Sequence, residues 1–265
     1  MKKFWFILTA LVATCFLVAC SGSQGVSPKT IKEKKKIVVA TESEFAPFEF
    51  KSLVNGKDTL VGADIELAKA IGERLGVKVE FSVMSFDNVL ASVQSGKSDI
   101  AIAGISVTDE RKKVYDFSDS YYTSENVVIV KKDKVNDFTS ADSLAKQTVG
   151  TQKGSVQETV AKKQISKASV VSLASNGEMI NELKSGQLQA VVLEKAIAEG
   201  YISQNDDLTL ANFNLKSDGS DAYAVATRKG SDDLLKEINA VIKETKDSGK
   251  FDQWLKEVST YKQSK

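Results

Sequence analysis

The sequence predicts an α/β fold divided into two lobes, and two observations lead to this prediction. Short β-branched runs alternate with stretches of helical apolar spacing between residues 37 and 103, a pattern typical of a parallel sheet covered by helices. A helix end, a Ser-Gly stop and a buried strand also occur twice, at residues 93–103 and 183–193. Because ligands of open α/β sheets bind beyond the carboxyl ends of strands, two facing units would share one cleft.

Each element of the first unit has its own signal in the sequence. Apolar residues recur with helical spacing between residues 64 and 75, and Gly76 suits the end of that helix. A second helical stripe ends at Ser95-Gly96. The predicted elements of this unit are strands at 37–40, 77–81 and 99–103 and helices at 64–75 and 86–93. Later in the chain, residues 148–158 predict a strand, a loop with glycines and a helix start.

The composition excludes several kinds of site. The 36 Lys and Arg residues nearly balance the 35 Asp and Glu residues, giving a net charge of +1, so the basic excess typical of nucleic-acid-binding domains is absent. The chain has no histidine, which excludes a Ser-His-Asp triad and a His-ligated metal site. Its two cysteines, Cys15 and Cys20, lie near the N-terminus and cannot crosslink the body of the fold. We expect no catalytic residue, metal or cofactor.

The N-terminus carries an export signal. Lys2 and Lys3 precede an uncharged run over residues 4–19, as in secretory signal peptides, and this run is shorter than the ~20 residues that a membrane-spanning helix needs. It ends Leu17-Val18-Ala19-Cys20, which resembles a bacterial lipobox. That resemblance implies removal of residues 1–19 and attachment of diacylglycerol and palmitate to Cys20. The alternative is an ordinary signal peptide with Cys20 unmodified.

The next segment has a different composition. Residues 20–36 are polar and rich in lysine, and they show no apolar period. Such a segment is expected to be a flexible tether between the lipid and the folded body.

Four stretches of the body, taken together, resemble one protein family. They resemble the polar amino-acid-binding proteins of ABC importers (bacterial solute-binding protein family 3), in particular the lysine/arginine/ornithine-, histidine- and glutamine-binding receptors. The resemblance covers about residues 36–258, and its motifs are residues 40–50, 61–65, 103–111 and 116–122.

The resemblance implies a periplasmic-binding-protein-like α/β fold with two lobes and two hinge crossovers. Lobe 1 would combine residues 37–120 with 224–265, and lobe 2 would be residues 126–218. The crossovers would be residues 121–125 and 219–223, and a final helix over residues 232–261 would pack back on lobe 1.

The same resemblance implies how the amino-acid backbone of a ligand is held. Arg111 matches the arginine that grips the α-carboxylate, a role that suits the paired donors of a guanidinium. Ser106 would add its hydroxyl and backbone N–H, and Gly104 would let the ligand approach the backbone closely. Glu194 matches the acid that binds the α-ammonium group, where the family usually has aspartate.

From lobe 2, the loop after residue 152 would reach the ligand. Gly154 and the N–H of Val156 match contacts to the carboxylate, and a helix start favours such an anion. Gln157 matches a polar residue near the cleft, and Lys153 matches a loop residue beside the ligand side chain.

Three further positions bear on which amino acid is bound. Phe45 and Phe86 match two aromatic residues that sandwich the ligand side chain, and Glu42 matches an acid that pairs with its far end. An acid beside aromatic faces suits a planar cation, which favours arginine, histidine or lysine. Glutamine stays open because residues 103–105 and 108–113 are most similar to the glutamine receptors. An acidic ligand is disfavoured because Glu42 and Glu194 would repel it.

The predicted function is that of an extracytoplasmic substrate-binding lipoprotein on the cell membrane. It would be a monomer that closes on a free L-amino acid and passes it to ABC permease and ATPase subunits, with no nucleic-acid partner. One alternative is a glutamine receptor of the same type. Others are a cyclohexadienyl dehydratase-like enzyme, with Glu194 as its acid, and a sensing module.

Overall fold

A computed structural model describes residues 25–217, 219 and 221–263 of the chain. The predicted signal peptide and the lipidation site at Cys20 lie outside these residues. None of the helices in the described ranges is both long and apolar enough to cross a bilayer.

Helices and strands alternate along most of the described chain. The helices are α1 (Pro28–Lys34), α2 (Ala63–Leu75), α3 (Phe86–Gln94), α4 (Asp109–Lys112), α5 (Val156–Gln164), α6 (Asn176–Ser185), α7 (Lys195–Ser203), α8 (Asp232–Asp247) and α9 (Lys250–Val258). The strands are β1 (Lys36–Thr41), β2 (Glu44–Phe45), β3 (Glu49–Val54), β4 (Lys57–Val61), β5 (Lys78–Val83), β6 (Ile100–Ala101), β7 (Tyr115–Phe117), β8 (Tyr122–Thr123), β9 (Asn126–Lys131), β10 (Thr148–Gln152), β11 (Ser169–Leu173), β12 (Ala190–Glu194), β13 (Leu208–Leu210), β14 (Ala222–Tyr223) and β15 (Ala226–Arg228).

Two five-stranded sheets define two lobes, which confirms the predicted two-lobed α/β fold. Lobe 1 contains the sheet β5-β1-β6-β15-β7, and lobe 2 contains the sheet β11-β10-β12-β9-β13. In each sheet the first three strands are parallel, and the fourth strand runs antiparallel to them. That fourth strand enters its sheet directly after the chain has crossed from the other lobe. The two sheets therefore have the same strand order.

The recurring sequence unit occupies equivalent places in the two sheets. Its strands are β6 and β12, the third strand of each sheet, and each follows a helix that ends near a glycine with left-handed backbone, Gly96 at φ 77° and Gly186 at φ 82°. Although β6 spans only two residues, the chain around it stays buried from Ser98 to Ser106. The internal repeat in the sequence is thus a repeat in the structure.

Two short strands connect the lobes. Tyr122 of β8 pairs with Tyr223 of β14, and Thr123 pairs with Ala222. Phe48 packs edge-on against both tyrosines, with ring centroids 4.8 Å from Tyr122 and 5.4 Å from Tyr223. The crossover region is therefore a paired ribbon resting on an aromatic cluster.

The predicted tether is wrong for residues 25–36. Ser27 caps α1 by accepting a hydrogen bond from the Thr30 backbone N–H, and the side chain of Ile31 is fully buried. The backbone N–H of Val26 also donates to Ser231 Oγ at 2.8 Å. A single buried isoleucine gives no period in a polar segment, so the apolar pattern did not reveal this contact.

The single helix predicted over residues 232–261 is also wrong. α8 ends at Asp247, and α9 begins at Lys250. Gly249 between them adopts a left-handed backbone (φ 69°), a conformation that terminates helices. The break lets both helices pack against α2.

Candidate functional site

The candidate site lies where the carboxyl ends of strands from the two sheets meet. Glu42 follows β1 and Gly104 follows β6 in lobe 1, whereas Gln152 ends β10 and Glu194 ends β12 in lobe 2. β1 and β6 are parallel, as are β10 and β12, so the members of each pair lie at one edge of a sheet. Hydrogen bonds then join the two edges across the cleft, from Gln152 to Glu42.

Arg111 reaches the cleft from the first turn of α4. The Thr108 hydroxyl accepts a hydrogen bond from the Arg111 backbone N–H at 3.1 Å and so starts that turn. The guanidinium donates to the Ser106 carbonyl at 2.8 Å and, across the cleft, to the Gly154 carbonyl at 3.1 Å. Burial lowers the pKa of Arg111 to about 10, so it remains a cation at neutral pH.

Phe86 supports the Arg111 guanidinium. It is the first residue of α3 and is 8% exposed, and the Arg111 Cζ lies 5.8 Å from its ring centroid. This is the geometry of a cation–π contact. The structure therefore places Phe86 beneath the cation of the site and in the small core formed by α3.

Glu194 presents the negative charge of lobe 2. It is 6% exposed, and its Oε1 accepts a hydrogen bond from Gln157 Nε2 at 2.7 Å. The same amide donates to Asn126 Oδ1 at 2.7 Å, and Asn126 pairs with Glu194 in the β9–β12 register. Burial raises the pKa of Glu194 to about 7. The acid is thus oriented by an amide network within its own lobe.

The loop after β10 enters the cleft with a left-handed glycine. Gly154 has φ 78°, and its N–H donates to Glu158 Oε2 at 3.0 Å while its carbonyl accepts from Arg111. Ser155 caps α5 by accepting from the Glu158 backbone N–H. Val156 is the first residue of α5, a position whose N–H has no carbonyl partner within the helix.

Lys153 turns toward the rim of the cleft. Its Nζ forms an ion pair with Asp87 Oδ2 of lobe 1 at 2.9 Å, and the lysine side chain is 61% exposed. Asp87 thus attracts the charge of Lys153, and the place of this lysine beside a ligand side chain stays a prediction. The ion pair is a contact between the two lobes.

Phe45 lies against the backbone at Gly104. Phe45 is 3% exposed, and a Cβ added at Gly104 would come within 2.5 Å of its ring. Gly104 also adopts φ 53°, a backbone conformation that residues with a side chain rarely take. The position therefore requires glycine for two separate reasons.

Gly104 is held from below by a buried acidic pair. Its N–H donates to Asp64 Oδ2 at 3.1 Å, and the hydroxyl of Tyr121 donates to the same oxygen at 2.8 Å. Burial raises the pKa of Asp64 to about 6, and burial together with the neighbouring Asp64 raises the pKa of Glu49 well above its usual range. The network connects the Gly104 turn to the start of a crossover.

Glu42 is a buried acid on the cleft side of lobe 1. It is 4% exposed, and Gln152 Nε2 lies 3.1 Å from Oε2 and 3.3 Å from Oε1. Burial, together with the nearby acids Glu44 and Glu194, raises the pKa of Glu42 to about 8. An acid in these surroundings would be stabilised by a cation.

Several residues of this region were not among the predicted site residues. Gln152, Asn126 and Asp87 each take part in a hydrogen bond or ion pair with a predicted residue. Asn126 is the polar first residue of a strand whose next four residues are apolar, which is a signal that sequence reasoning could have used. Gln152 ends β10 in the same way that Glu194 ends β12, so its place at a strand end was also visible.

Most of the chain matches one known protein family. Residues 37–258 match the family described as bacterial extracellular solute-binding proteins, family 3. The chain belongs to this family. The match covers both sheets and the two crossovers between them, in agreement with the resemblance stated above.

Individual members of family 3 span nearly the whole chain. The chain is 34% identical to the arginine-binding extracellular protein ArtP of Bacillus subtilis (strain 168), over 97% of each protein. It is 32% identical to the ABC transporter glutamine-binding protein GlnH of the same organism, over 97% of this chain and 98% of GlnH. A crystal structure of the amino acid ABC transporter substrate-binding protein AbpA from Streptococcus pneumoniae Canada MDR_19A, bound to L-arginine, is 49% identical, with a TM-score of 0.86, and the match covers 89% of this chain and 100% of that one.

Proposed function

We propose that this chain is the extracytoplasmic receptor of an ABC importer and that its ligand is free L-arginine. Arg111 and Glu194 offer opposite charges to an α-carboxylate and an α-ammonium group. The observation that carries the choice of arginine is Glu42, a buried acid whose hydrogen-bond partner is the neutral amide of Gln152. A guanidinium supplies the missing positive charge and several donors for that carboxylate. The arginine-binding relatives support the same choice.

The binding mode follows from where the charges lie. Arg111 and Phe86 belong to lobe 1, and Glu194 and Gln157 belong to lobe 2, so a ligand that contacts both sets holds the lobes together. Closure removes both ligand charges from water, and each must then be paired and hydrogen-bonded. Binding without chemistry is proposed. The dehydratase-like alternative would use Glu194 as its proton donor, and turnover of prephenate or arogenate is the assay that would reveal it.

The anchor and the partners of the receptor belong to the same proposal. The lipobox-like Leu17-Val18-Ala19-Cys20 supports lipidation at Cys20, and mass spectrometry of the protein from membranes tests it through the mass of the N-terminal peptide. Permease and ATPase subunits would accept arginine from the monomeric, closed receptor. Loss of arginine uptake on deleting the receptor, restored by the unmodified chain, would support this role.

Binding of arginine is tested with the chain lacking its first 20 residues, unfolded and refolded to remove retained ligand. A ligand that binds only the folded state stabilises it by RT ln(1 + [L]/Kd), so a micromolar Kd predicts a gain of about 4 kcal/mol at ~1 mM arginine. We expect this gain in urea unfolding with arginine and a smaller one with histidine or lysine. Glu42→Gln should reduce the gain with arginine.

Two outcomes would contradict the proposal. A gain with glutamine that exceeds the gain with arginine at neutral pH would assign the glutamine alternative. No gain with any free amino acid would remove the receptor function. Lys167→Gln serves as a control because Lys167 pairs with Asp142 on the surface of lobe 2, so its gain with arginine should match that of the unaltered protein.

A further inference from the structure

The groups around Glu42 come from both lobes, and within the part of the chain that the structure describes none of them is a cation. Gln152 of β10 donates to its carboxylate, while Glu44 of β2, Glu49 of β3 and Glu194 of β12 act on it as like charges. The charge of Glu42 also acts electrostatically on the hydroxyl of Tyr201 in α7. Arg111 is directed to the Ser106 and Gly154 carbonyls, and Lys153 pairs with Asp87. Since no described side chain supplies positive charge to an ionised Glu42, we expect the ligand to supply it.

Closing the lobes is what isolates Glu42 from water. Its hydrogen-bond partner Gln152 belongs to lobe 2, and Glu44 beside it accepts a hydrogen bond from the Gly177 N–H of lobe 2 at 3.0 Å. An isolated carboxylate in such surroundings becomes neutral by binding a proton. A guanidinium in contact with Glu42 removes the need for that proton, because the ion pair satisfies the charge.

We propose that Glu42 sets ligand choice through a proton: closure over arginine leaves Glu42 ionised, and closure over glutamine requires Glu42 to take up one proton. This inference rests on the proposed function, because it assigns arginine and glutamine to the same cleft. It names Glu42 as the residue that distinguishes the two ligands, and it makes that distinction depend on pH.

The sign of the pH dependence follows from linkage. With no cation at hand, burial in the closed cleft raises the pKa of Glu42 to about 8, whereas a solvated glutamate has its usual pKa of about 4.3. The glutamine complex is therefore stabilised at low pH and loses stability as the pH rises toward the raised value. At pH values between the usual glutamate pKa and the raised pKa of Glu42, the affinity for glutamine should fall about tenfold per pH unit. Arginine needs no such proton.

Other titrating groups should cancel in a comparison of the two ligands. Asp64 accepts from the Gly104 N–H, Glu194 accepts from Gln157, and Glu49 lies next to Asp64. We expect these acids to lie near the α-amino and α-carboxyl groups, which arginine and glutamine share. The ratio of the two dissociation constants therefore isolates the group near the end of the side chain. Lys153 and Asp87 form their ion pair at the rim and contribute equally to both complexes.

The experiment is calorimetric titration of the refolded chain, lacking its first 20 residues, with arginine and with glutamine. Dissociation constants are measured at about pH 5, 6, 7 and 7.5, each in two buffers of different ionisation enthalpy, which gives the number of protons exchanged. We expect glutamine to bind at pH 5 and to lose about tenfold in affinity per pH unit, with close to one proton taken up at neutral pH. The affinity for arginine should exceed the affinity for glutamine by a ratio that grows with pH. Binding of arginine should take up about one proton fewer than binding of glutamine.

The variant Glu42→Gln tests whether the proton resides on this residue. An amide cannot take up the proton, so the ratio of the two dissociation constants should become independent of pH. A ratio that still changes tenfold per unit in Glu42→Gln would overturn the assignment to Glu42. A flat ratio in the unaltered protein, or failure of glutamine to bind at pH 5 while arginine binds, would overturn the inference and leave the proposed function intact. Failure of arginine to bind at every pH would instead overturn the proposed function.

Discussion

Gly104 combines three structural roles in the site. Its N–H is held by Asp64 from below, its α-carbon faces the Phe45 ring, and its left-handed backbone turns the chain from β6 toward Ser106. A side chain at this position would strain the backbone and displace the ring at once. The cost of backbone strain can be separated from the cost of displacing the Phe45 ring by comparison with a second glycine of positive φ.

Gly104→Ala should therefore lower both stability and affinity. Gly56 is the matched control, since it also has positive φ (75°) but a Cβ there would meet nothing within 4 Å. We expect Gly56→Ala to cost about 1–2 kcal/mol in urea unfolding with arginine affinity unchanged. Gly104→Ala should cost about 1–3 kcal/mol more and weaken arginine binding because Phe45 must move. Equal costs for the two variants, with unchanged affinity in both, would contradict the role given to Phe45.

Residue identities at the site were predictable where a motif gave them a position. The structure brings Glu42, Phe45, Gly104, Arg111 and Glu194, all predicted, to the facing strand ends. What each side chain contacts could not be read from the sequence. Gln152 pairs with Glu42 only when two lobes meet, and no local pattern encodes a partner 110 residues away in the chain.

At the scale of single elements, α1 shows the weakness of composition as a guide. The segment has five lysines among residues 29–36 and only Ile31 to bury, so its polarity resembles a linker. A capping box and one fully buried side chain are nevertheless enough to seat a seven-residue helix on lobe 1. The capping signals at Ser27 and Pro28 indicate this helix better than the overall polarity of the segment does.

This account predicts a measurable cost for removing one side chain. Ile31→Ala leaves a cavity beneath α1, and such truncations cost about 2–5 kcal/mol at buried sites; we expect a value in the lower half of that range because the helix is short. Lys32→Ala on the exposed face should change stability by less than about 0.5 kcal/mol. Both are measured by urea unfolding of the chain lacking its first 20 residues. If the two variants were equally stable, α1 would behave as the flexible tether that its composition indicates.

The long helix predicted at the C-terminal end illustrates the opposite error. Its apolar stripe continues through α8 and α9, so periodicity alone joins them. The Ser248-Gly249 pair lies between the two helices, and the left-handed glycine changes the direction of the chain. A helical period locates a buried face, whereas a break depends on one backbone conformation.

For the molecule as a whole, several polar contacts between described residues span the cleft. Lys153 pairs with Asp87, Arg111 donates to Gly154, and the Glu44 carboxylate accepts from the N-terminal turn of α6. The Lys153–Asp87 ion pair is exposed to solvent, so it contributes little to the stability of the closed state. Such contacts can adjust the closed state without overriding the effect of the ligand.

Lys153→Gln should weaken arginine binding by a modest factor. Exposed ion pairs contribute about 0.2–1 kcal/mol, which corresponds to about 1.4- to 5-fold in the dissociation constant. The difference from the unaltered protein should shrink in high salt, because salt screens an exposed pair. Lys167→Gln is the control, since that lysine is similarly exposed and pairs with Asp142 within lobe 2. A loss above tenfold would mean that Lys153 contacts the ligand itself, as the sequence predicted.

The course of the chain through the two sheets has a consequence for how the protein is made. All strands of the lobe 2 sheet lie between residues 126 and 210, whereas the lobe 1 sheet places β15, from residues 226–228, between β6 and β7. Lobe 1 therefore cannot complete its sheet until the C-terminal part of the chain has emerged, and its folding depends on contacts distant in sequence, which form slowly. Lobe 2 can assemble first from a continuous segment. Lobe 1, which contains the first strand of the chain, is thus expected to become ordered after lobe 2.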